Sequence, residues 1–259
     1  MYGFLSFLKF IDHACPASSI RAGPASGGLG RGVYGVTYAA LNTTGGIART
    51  RNPNKSGATF YLPAGGEYAE KLFSEEEARI QGAVEKEACI QQYVFEKTGV
   101  APQVFASWGC GGQGFVLMEK MGRDLHSLLD VLRLVGEADL VTPSGAAFSK
   151  KGVLREVADG ILGALEALAD LACMHGDMHG GNIMFDQEGK IRFVDFGMAR
   201  CENPSRWSDE KKKRTVKSQT RDVTELPGEV LKKQDAAPFG EFKKEGTWRQ
   251  PLSFWGAKT

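Results

Sequence analysis

Residues 175–197, HGDMHGGNIMFDQEGKIRFVDFG, decide the fold. The first part, His175-Gly-Asp177-Met-His179-Gly-Gly-Asn182, sets ionisable and amide side chains among glycines, directly behind an apolar run. The last part, Phe193-Val-Asp195-Phe-Gly197, sets one carboxylate among apolar residues and ends on glycine. Polar groups at the ends of apolar elements can meet a ligand without breaking the core. Between the two parts, residues 182–185 and 190–194 flank the turn Asp186-Gln-Glu-Gly189, which predicts a β-hairpin.

On the N-terminal side of this stretch lies the strongest helix signal in the chain. Leu154, Val157, Ile161, Leu165, Leu168 and Ala172 are spaced 3, 4, 4, 3 and 4, one continuous apolar face. A shorter helix is predicted over residues 124–135, with a loop over 136–152. Further upstream, strands are predicted at 103–108 and 114–118, and a charged helix over 74–97 that ends at Thr98-Gly99. Before it come a strand at 68–73 and a strand–glycine-turn–strand unit at 29–41. Residues 42–66 are dense in turn formers and read as a long loop or insertion, and residues 16–28 as a leader or loop. The aromatic, apolar start at 1–11 is interrupted by Lys9 and reads as an element packed on the body rather than a secretory signal.

The chain has 259 residues, 32 Lys+Arg against 31 Asp+Glu, and 42% hydrophobic residues. That is enough chain for a core, too apolar for disorder, and too evenly charged for a generally nucleic-acid-coating surface. No run of about 18–20 apolar residues predicts a membrane span. The five cysteines, Cys15, Cys89, Cys110, Cys173 and Cys201, are widely spaced without a CxxC, and predict reduced intracellular thiols. A cytoplasmic location is expected.

Two more local signals precede the decisive stretch. Gly30-Arg-Gly32-Val-Tyr-Gly35 is followed by Val36-Thr-Tyr-Ala-Ala, which suits a strand, whereas a dinucleotide fold would open a helix there. Alone it is also compatible with a plain hairpin turn. Lys71, in Tyr68-Ala-Glu-Lys71-Leu-Phe, is followed in the charged helix by Glu87. A strand lysine can reach phosphate oxygens and a helix glutamate can hold its ammonium. Glu85 is a rival partner, but Ile90 and Val94 set the turns of Glu87 against a core.

In this order the four signals resemble the protein-kinase superfamily over about residues 28–200. Gly30, Gly32 and Gly35 match the glycine-rich loop, Lys71 the strand lysine, Asp177 and Asn182 the catalytic loop, and Asp195-Phe-Gly the metal-binding triplet. The resemblance implies an α+β, two-lobed fold. Residues 29–121 would be a β-rich N-lobe with one helix and the 42–66 insertion, preceded by a leader at 1–28. Residues 122–259 would be a shortened, mainly helical C-lobe. It implies ATP and Mg²⁺ as cofactors. Lys71, held by Glu87, would grip the α- and β-phosphates, Asp195 and Asn182 would hold Mg²⁺, and Asp177 would take the acceptor's proton. Backbone at Glu119 and Met121 would bind adenine, with Met118 behind it. Thr220-Arg-Asp222-Val-Thr-Glu-Leu resembles the start of the helix whose aspartate props the catalytic loop.

This sequence also departs from the family pattern. It reads His175-Gly-Asp177 where an arginine usually precedes the aspartate, so no activation-loop phosphate switch is expected. His179 stands where serine/threonine kinases carry lysine, and would donate to the γ-phosphate. No A-P-E triplet follows Asp195. The expected reaction is transfer to a serine or threonine hydroxyl of a protein. A small-molecule kinase of the aminoglycoside or choline type and an ATP-binding pseudokinase scaffold are the alternatives. A metallohydrolase using His175, Asp177 and His179 on one strand face would leave the other signals unused. Residues 205–221 carry seven Lys/Arg and two Asp/Glu, a net +5. They read as a solvated activation segment. Acidic substrates, or a nuclear-localisation or nucleic-acid patch at Lys211–Arg214, are the other readings.

Overall fold

The computed structural model describes residues 15–16, 20–21, 28–32, 35–42, 46–51, 59–62, 67–74, 82–110, 113–135 and 149–223, and ahead of Glu67 the description is of the backbone. The readings of 1–11 and 136–148 lie outside these residues. The chain divides into two compact units. One runs to Lys120 and includes Asp195–Ala199. The other comprises Met121–Val194 and the residues from Arg200 onward.

The first unit is built on an antiparallel sheet. Strands β1 (Cys15–Pro16), β2 (Ile20–Arg21), β3 (Gly28–Gly32), β4 (Gly35–Asn42), β5 (Gly46–Arg51), β6 (Thr59–Leu62), β7 (Glu67–Phe73), β8 (Val104–Cys110) and β9 (Gln113–Glu119) lie on either side of helix α1 (Ala83–Thr98) in the chain. The main sheet runs β2-β4-β7-β9-β8, with β3 also paired to β4. Gly32 faces Gly35 at the tip of the β3–β4 hairpin. Two readings are corrected here. Residues 42–66 are not simply a loop, because β5 and β6 pair antiparallel and β1 joins them in a second sheet. The turn formers cluster at residues 52–58, while Ile47-Ala-Arg-Thr-Arg and Thr59-Phe-Tyr-Leu have the β-branched and aromatic content of strands. The leader likewise contributes β2, which pairs with the end of β4.

Helix α1 begins at Ala83, with Ser74 outside it and residues 75–81 not described. It ends where Gly99, at φ 69°, donates its N–H to Phe95 O. Val84, Glu87, Ala88, Gln91 and Val94 form its buried face. A core of Ala69, Phe73, Val84, Ala88, Val104, Val116 and Met118 joins this helix to the sheet.

The second unit holds α2 (Leu125–Leu134), α3 (Lys150–Asp170), α4 (Asp209–Asp222) and four short strands, β10 (Cys173–Met174), β11 (Ile183–Phe185), β12 (Ile191–Phe193) and β13 (Arg200–Cys201). Asp124 caps α2 by accepting from Ser127 N. Ser149 caps α3 by accepting from Gly152 N, so the helix starts inside the stretch read as a loop. Val157, Ile161, Leu165 and Leu168 are buried, as their spacing requires. The β11–β12 hairpin is tied by Asp186. Its Oδ1 accepts from Glu188 N and Lys190 N, and its Oδ2 pairs with Arg192 at 2.8 Å. No described helix is long and apolar enough to cross a membrane.

The basic stretch is also corrected. It forms α4, capped by Ser208 Oγ on Lys211 N, with Asp209 and Glu210 in the first turn where acidic residues suit the helix dipole. Lys211 pairs with Glu202 at 2.7 Å and lies 4.7 Å from the Trp207 ring centroid, and Lys212 pairs with Asp170 at 3.0 Å.

Candidate active site

In the first unit, β7 presents Ala69, Lys71 and Phe73 on the face that meets the buried face of α1. Both sides of the strand are covered, so Lys71 is 5% exposed. Its Nζ donates to Glu87 Oε1 at 2.7 Å and Oε2 at 3.0 Å, and to Asp195 Oδ1 at 2.8 Å. Glu87 is 1% exposed. Burial pushes the Lys71 ammonium toward neutrality, but Glu87 and Asp195 outweigh it and hold the lysine above its ordinary range. Lys71 is therefore a fixed cation.

Asp195 is held in this position by its own backbone and its neighbours. Its φ is +64°, a left-handed conformation that aspartate tolerates better than most residues. Phe196, next in the chain, is 1% exposed. Lys86 Nζ donates to Gly197 O at 3.3 Å from α1. Two carboxylates around one ammonium leave the cluster with excess negative charge. The partly exposed oxygens of Asp195 are hard donors of the kind Mg²⁺ takes. The donor set fits that ion.

In the second unit, β10 leads into the stretch from His175. His175 is fully buried, and its Nε2 lies 2.9 Å from Val194 O, which makes Nε2 the protonated nitrogen. Its backbone N–H donates to Gln219 Oε1 at 2.6 Å. This corrects the reading of Asp222. That aspartate is exposed at the end of α4, while Gln219, 2% exposed, is the residue that holds the loop. The spacing Val216, Gln219, Thr220, Val223 along a helix capped at Ser208 is the signal that would have found it.

Asp177 is about half exposed. Its backbone oxygen accepts from Asn182 Nδ2 at 2.9 Å, and its Oδ2 lies 3.4 Å from the same nitrogen. The amide nitrogen of Asn182 is thus committed to Asp177, and its Oδ1 is the end suited to a metal. Val194 N donates to Asn182 O at 3.1 Å, tying the loop to the residue before Asp195. Asn182 sits in a 3-10 turn, Gly180–Asn182, rather than in the strand predicted to start there. His179 caps that turn, its Nδ1 accepting from Gly181 N at 3.1 Å. A neutral His179 therefore carries its proton on Nε2, which lies 3.9 Å from Asp177 Oδ2. His175 and His179 are engaged in different contacts and not on one strand face. Among the described residues, no group of three or more His, Cys, Asp and Glu side chains has metal-holding geometry.

Gly30, Gly32 and Gly35 lie on the β3–β4 hairpin. The Glu119 N–H donates to Gln103 O at 2.9 Å and is therefore engaged within the sheet. Met121 is buried. Met118 lies in the core beside α1, where its Sδ accepts from Gln91 Nε2 at 3.5 Å.

The expectation of five reduced thiols is also corrected. Cys173 and Cys201 form a disulfide, opposite each other on β10 and β13. Among the described residues, Cys89 is a free thiol. Pairing across 28 residues depends on how the chain returns, which cysteine spacing cannot show.

Comparison with curated proteins gives no match. A family model described as protein kinase domain matches residues 103–235, a little over half of the chain. That range contains the whole of the 175–197 stretch, both its loop and its Asp195-Phe-Gly triplet. Membership supports ATP-dependent phosphoryl transfer as the activity class. Lys71 and Glu87 lie ahead of the matched range and rest on their own geometry. The α+β fold, the ordered motifs and the family match converge, and the chain belongs to the protein kinase family.

Proposed function

We propose that the protein transfers the γ-phosphate of ATP to a serine or threonine hydroxyl of a protein. The observation that carries this reading is the Lys71 ammonium fixed between Glu87 and Asp195. Phosphoryl transfer depends on positioning and charge neutralisation more than on covalent chemistry. Lys71 binds the α- and β-phosphate oxygens and Glu87 keeps its ammonium in place. Asp195 and the Asn182 Oδ1 are the oxygen donors that would hold Mg²⁺, which supplies further neutralisation of the phosphates when bound. Asp177 orients the acceptor hydroxyl and takes its proton, and the His179 Nε2–H donates to the γ-phosphate. The Glu119 carbonyl and Met121 backbone bind the adenine.

The acceptor assignment has separate support. The exposed side of α4 carries Lys213, Arg214, Lys217 and Arg221, which suits an acidic protein acceptor. The test is incubation with Mg-ATP, acidic and basic protein substrates, and small-molecule alcohols, with mass spectrometry of the products. Phosphoserine or phosphothreonine, more on acidic substrates, is expected. Phosphate found only on the small alcohols would replace the protein acceptor with a small molecule.

A further inference from the structure

The segment between Cys173 and Cys201 contains Asp177, His179, Asn182 and Asp195, and their disulfide closes it into one ring. The backbone pairing at its neck is short. β10 and β13 are two residues each, with Cys173 opposite Cys201 and Met174 opposite Arg200. A ladder this short is marginal by itself. One further backbone bond joins it, from Glu202 N to Ala172 O at 3.0 Å. Ala172 is itself a non-glycine residue at φ 56°, a conformation that persists only where surrounding structure holds it. The covalent bond is the fastener ahead of His175, where the chain enters the 175–194 loop, and inside the loop the His175 contacts with Val194 and Gln219 take over. The two sulfurs are unequal in access: Cys173 is 1% exposed and Cys201 is half-buried.

We propose that Cys173 and Cys201 are a redox-responsive clasp whose state sets how firmly residues 175–194 are held. The oxidant is a peroxide. The Cys201 thiolate attacks one peroxide oxygen, giving a sulfenic acid and releasing water. The Cys173 thiolate then attacks the Cys201 sulfur and expels the second oxygen as water. Two thiols and one hydrogen peroxide thus give one disulfide and two waters. A dithiol reductant reverses the bond: one thiolate attacks the accessible Cys201 sulfur and Cys173 leaves as the thiolate, then the second thiol displaces Cys201 from the mixed disulfide and the reductant leaves as its own disulfide. In the oxidised form the neck is closed and the loop is ordered. In the reduced form the two-residue ladder opens and the loop loosens. The effect on turnover rests on the phosphotransferase reading, whereas the clasp does not.

The experiment uses the full chain, treated with hydrogen peroxide or with dithiothreitol. Non-reducing peptide mapping is followed by amide hydrogen exchange over residues 175–185. A Cys173–Cys201 peptide is expected after peroxide, with exchange slower by roughly ten-fold than in the reduced protein. Cys201→Ser should exchange like the reduced wild type under both treatments. Absence of the linked peptide, or equal exchange in both wild-type states, overturns the proposal. Phosphate transfer measured on the same samples should fall on reduction. If neither state transfers phosphate while exchange still differs, the clasp stands and the functional reading fails.

Discussion

Neutralising either end of the Lys71–Glu87 pair should cost more than removing both. At 2.7 Å and an effective dielectric of about 20, the two charges attract by about 6 kcal/mol, much of it offset by their desolvation. Lys71→Met leaves the Glu87 carboxylate, 1% exposed, without this counter-ion. Breaking a buried pair in this way costs about 3–5 kcal/mol. Glu87→Leu leaves Lys71 with Asp195 alone, so its cost should be lower, about 2–4 kcal/mol. The double variant Lys71→Met/Glu87→Leu removes both buried charges and fills the space with apolar atoms. It should therefore lie well above the sum of the singles, by at least about 2 kcal/mol. Urea unfolding of the four proteins reads the coupling, and melting should fall by roughly 6–12 °C for a 3 kcal/mol single-variant loss. Phosphate transfer should be lost in all three variants, including the restabilised double. Additive costs would show that Lys71 and Glu87 are not coupled, and would refute the claim that Glu87 holds the lysine.

Two further outcomes test other parts of the structure. Gln219→Leu removes the acceptor of the His175 N–H, a buried donor, and should cost about 1–3 kcal/mol and slow transfer while nucleotide binding persists; unchanged melting and turnover would remove Gln219 from the loop's support. Burial raises the Glu70 carboxyl from 4.5 to about 7. The folded chain then holds a proton there that the unfolded chain gives up, so this contribution to stability is present below about pH 4.5 and is lost as pH rises through about 7. Glu70→Gln should accordingly stabilise the protein at pH 8 by up to about 3 kcal/mol and change little at pH 4.5. Parallel melting curves for wild type and variant across that range would contradict the assignment.

How much of this was legible in the sequence follows from how local each signal is. The 182–194 hairpin could be read because Asp186 and Gly189 specify their turn through neighbouring backbone bonds. Glu87 could be preferred to Glu85 through Val94, which does share its buried face, whereas Ile90, the other residue used, is half-buried. The β5–β6 pair was hidden because turn formers at 52–58 dominate a window whose flanks are strand-like. The start of α3 was hidden because Lys150 and Lys151 are polar, although Ser149 is a cap. The loop's support was misassigned because an aspartate was sought near the end of a segment whose helix begins earlier, at a Ser208 cap, and buries Gln219 instead. The Cys173–Cys201 pairing depends on a return of the chain that no local pattern encodes.

The central claim, that Asp177 takes the acceptor's proton during transfer from ATP, is tested most directly by one measurement. Wild type and Asp177→Asn are compared for transfer of radiolabelled γ-phosphate from Mg-ATP to the best protein acceptor, at matched nucleotide occupancy. The account predicts a wild-type signal and a loss of about 10²–10⁴-fold in the variant. Equal rates in the two proteins would contradict it.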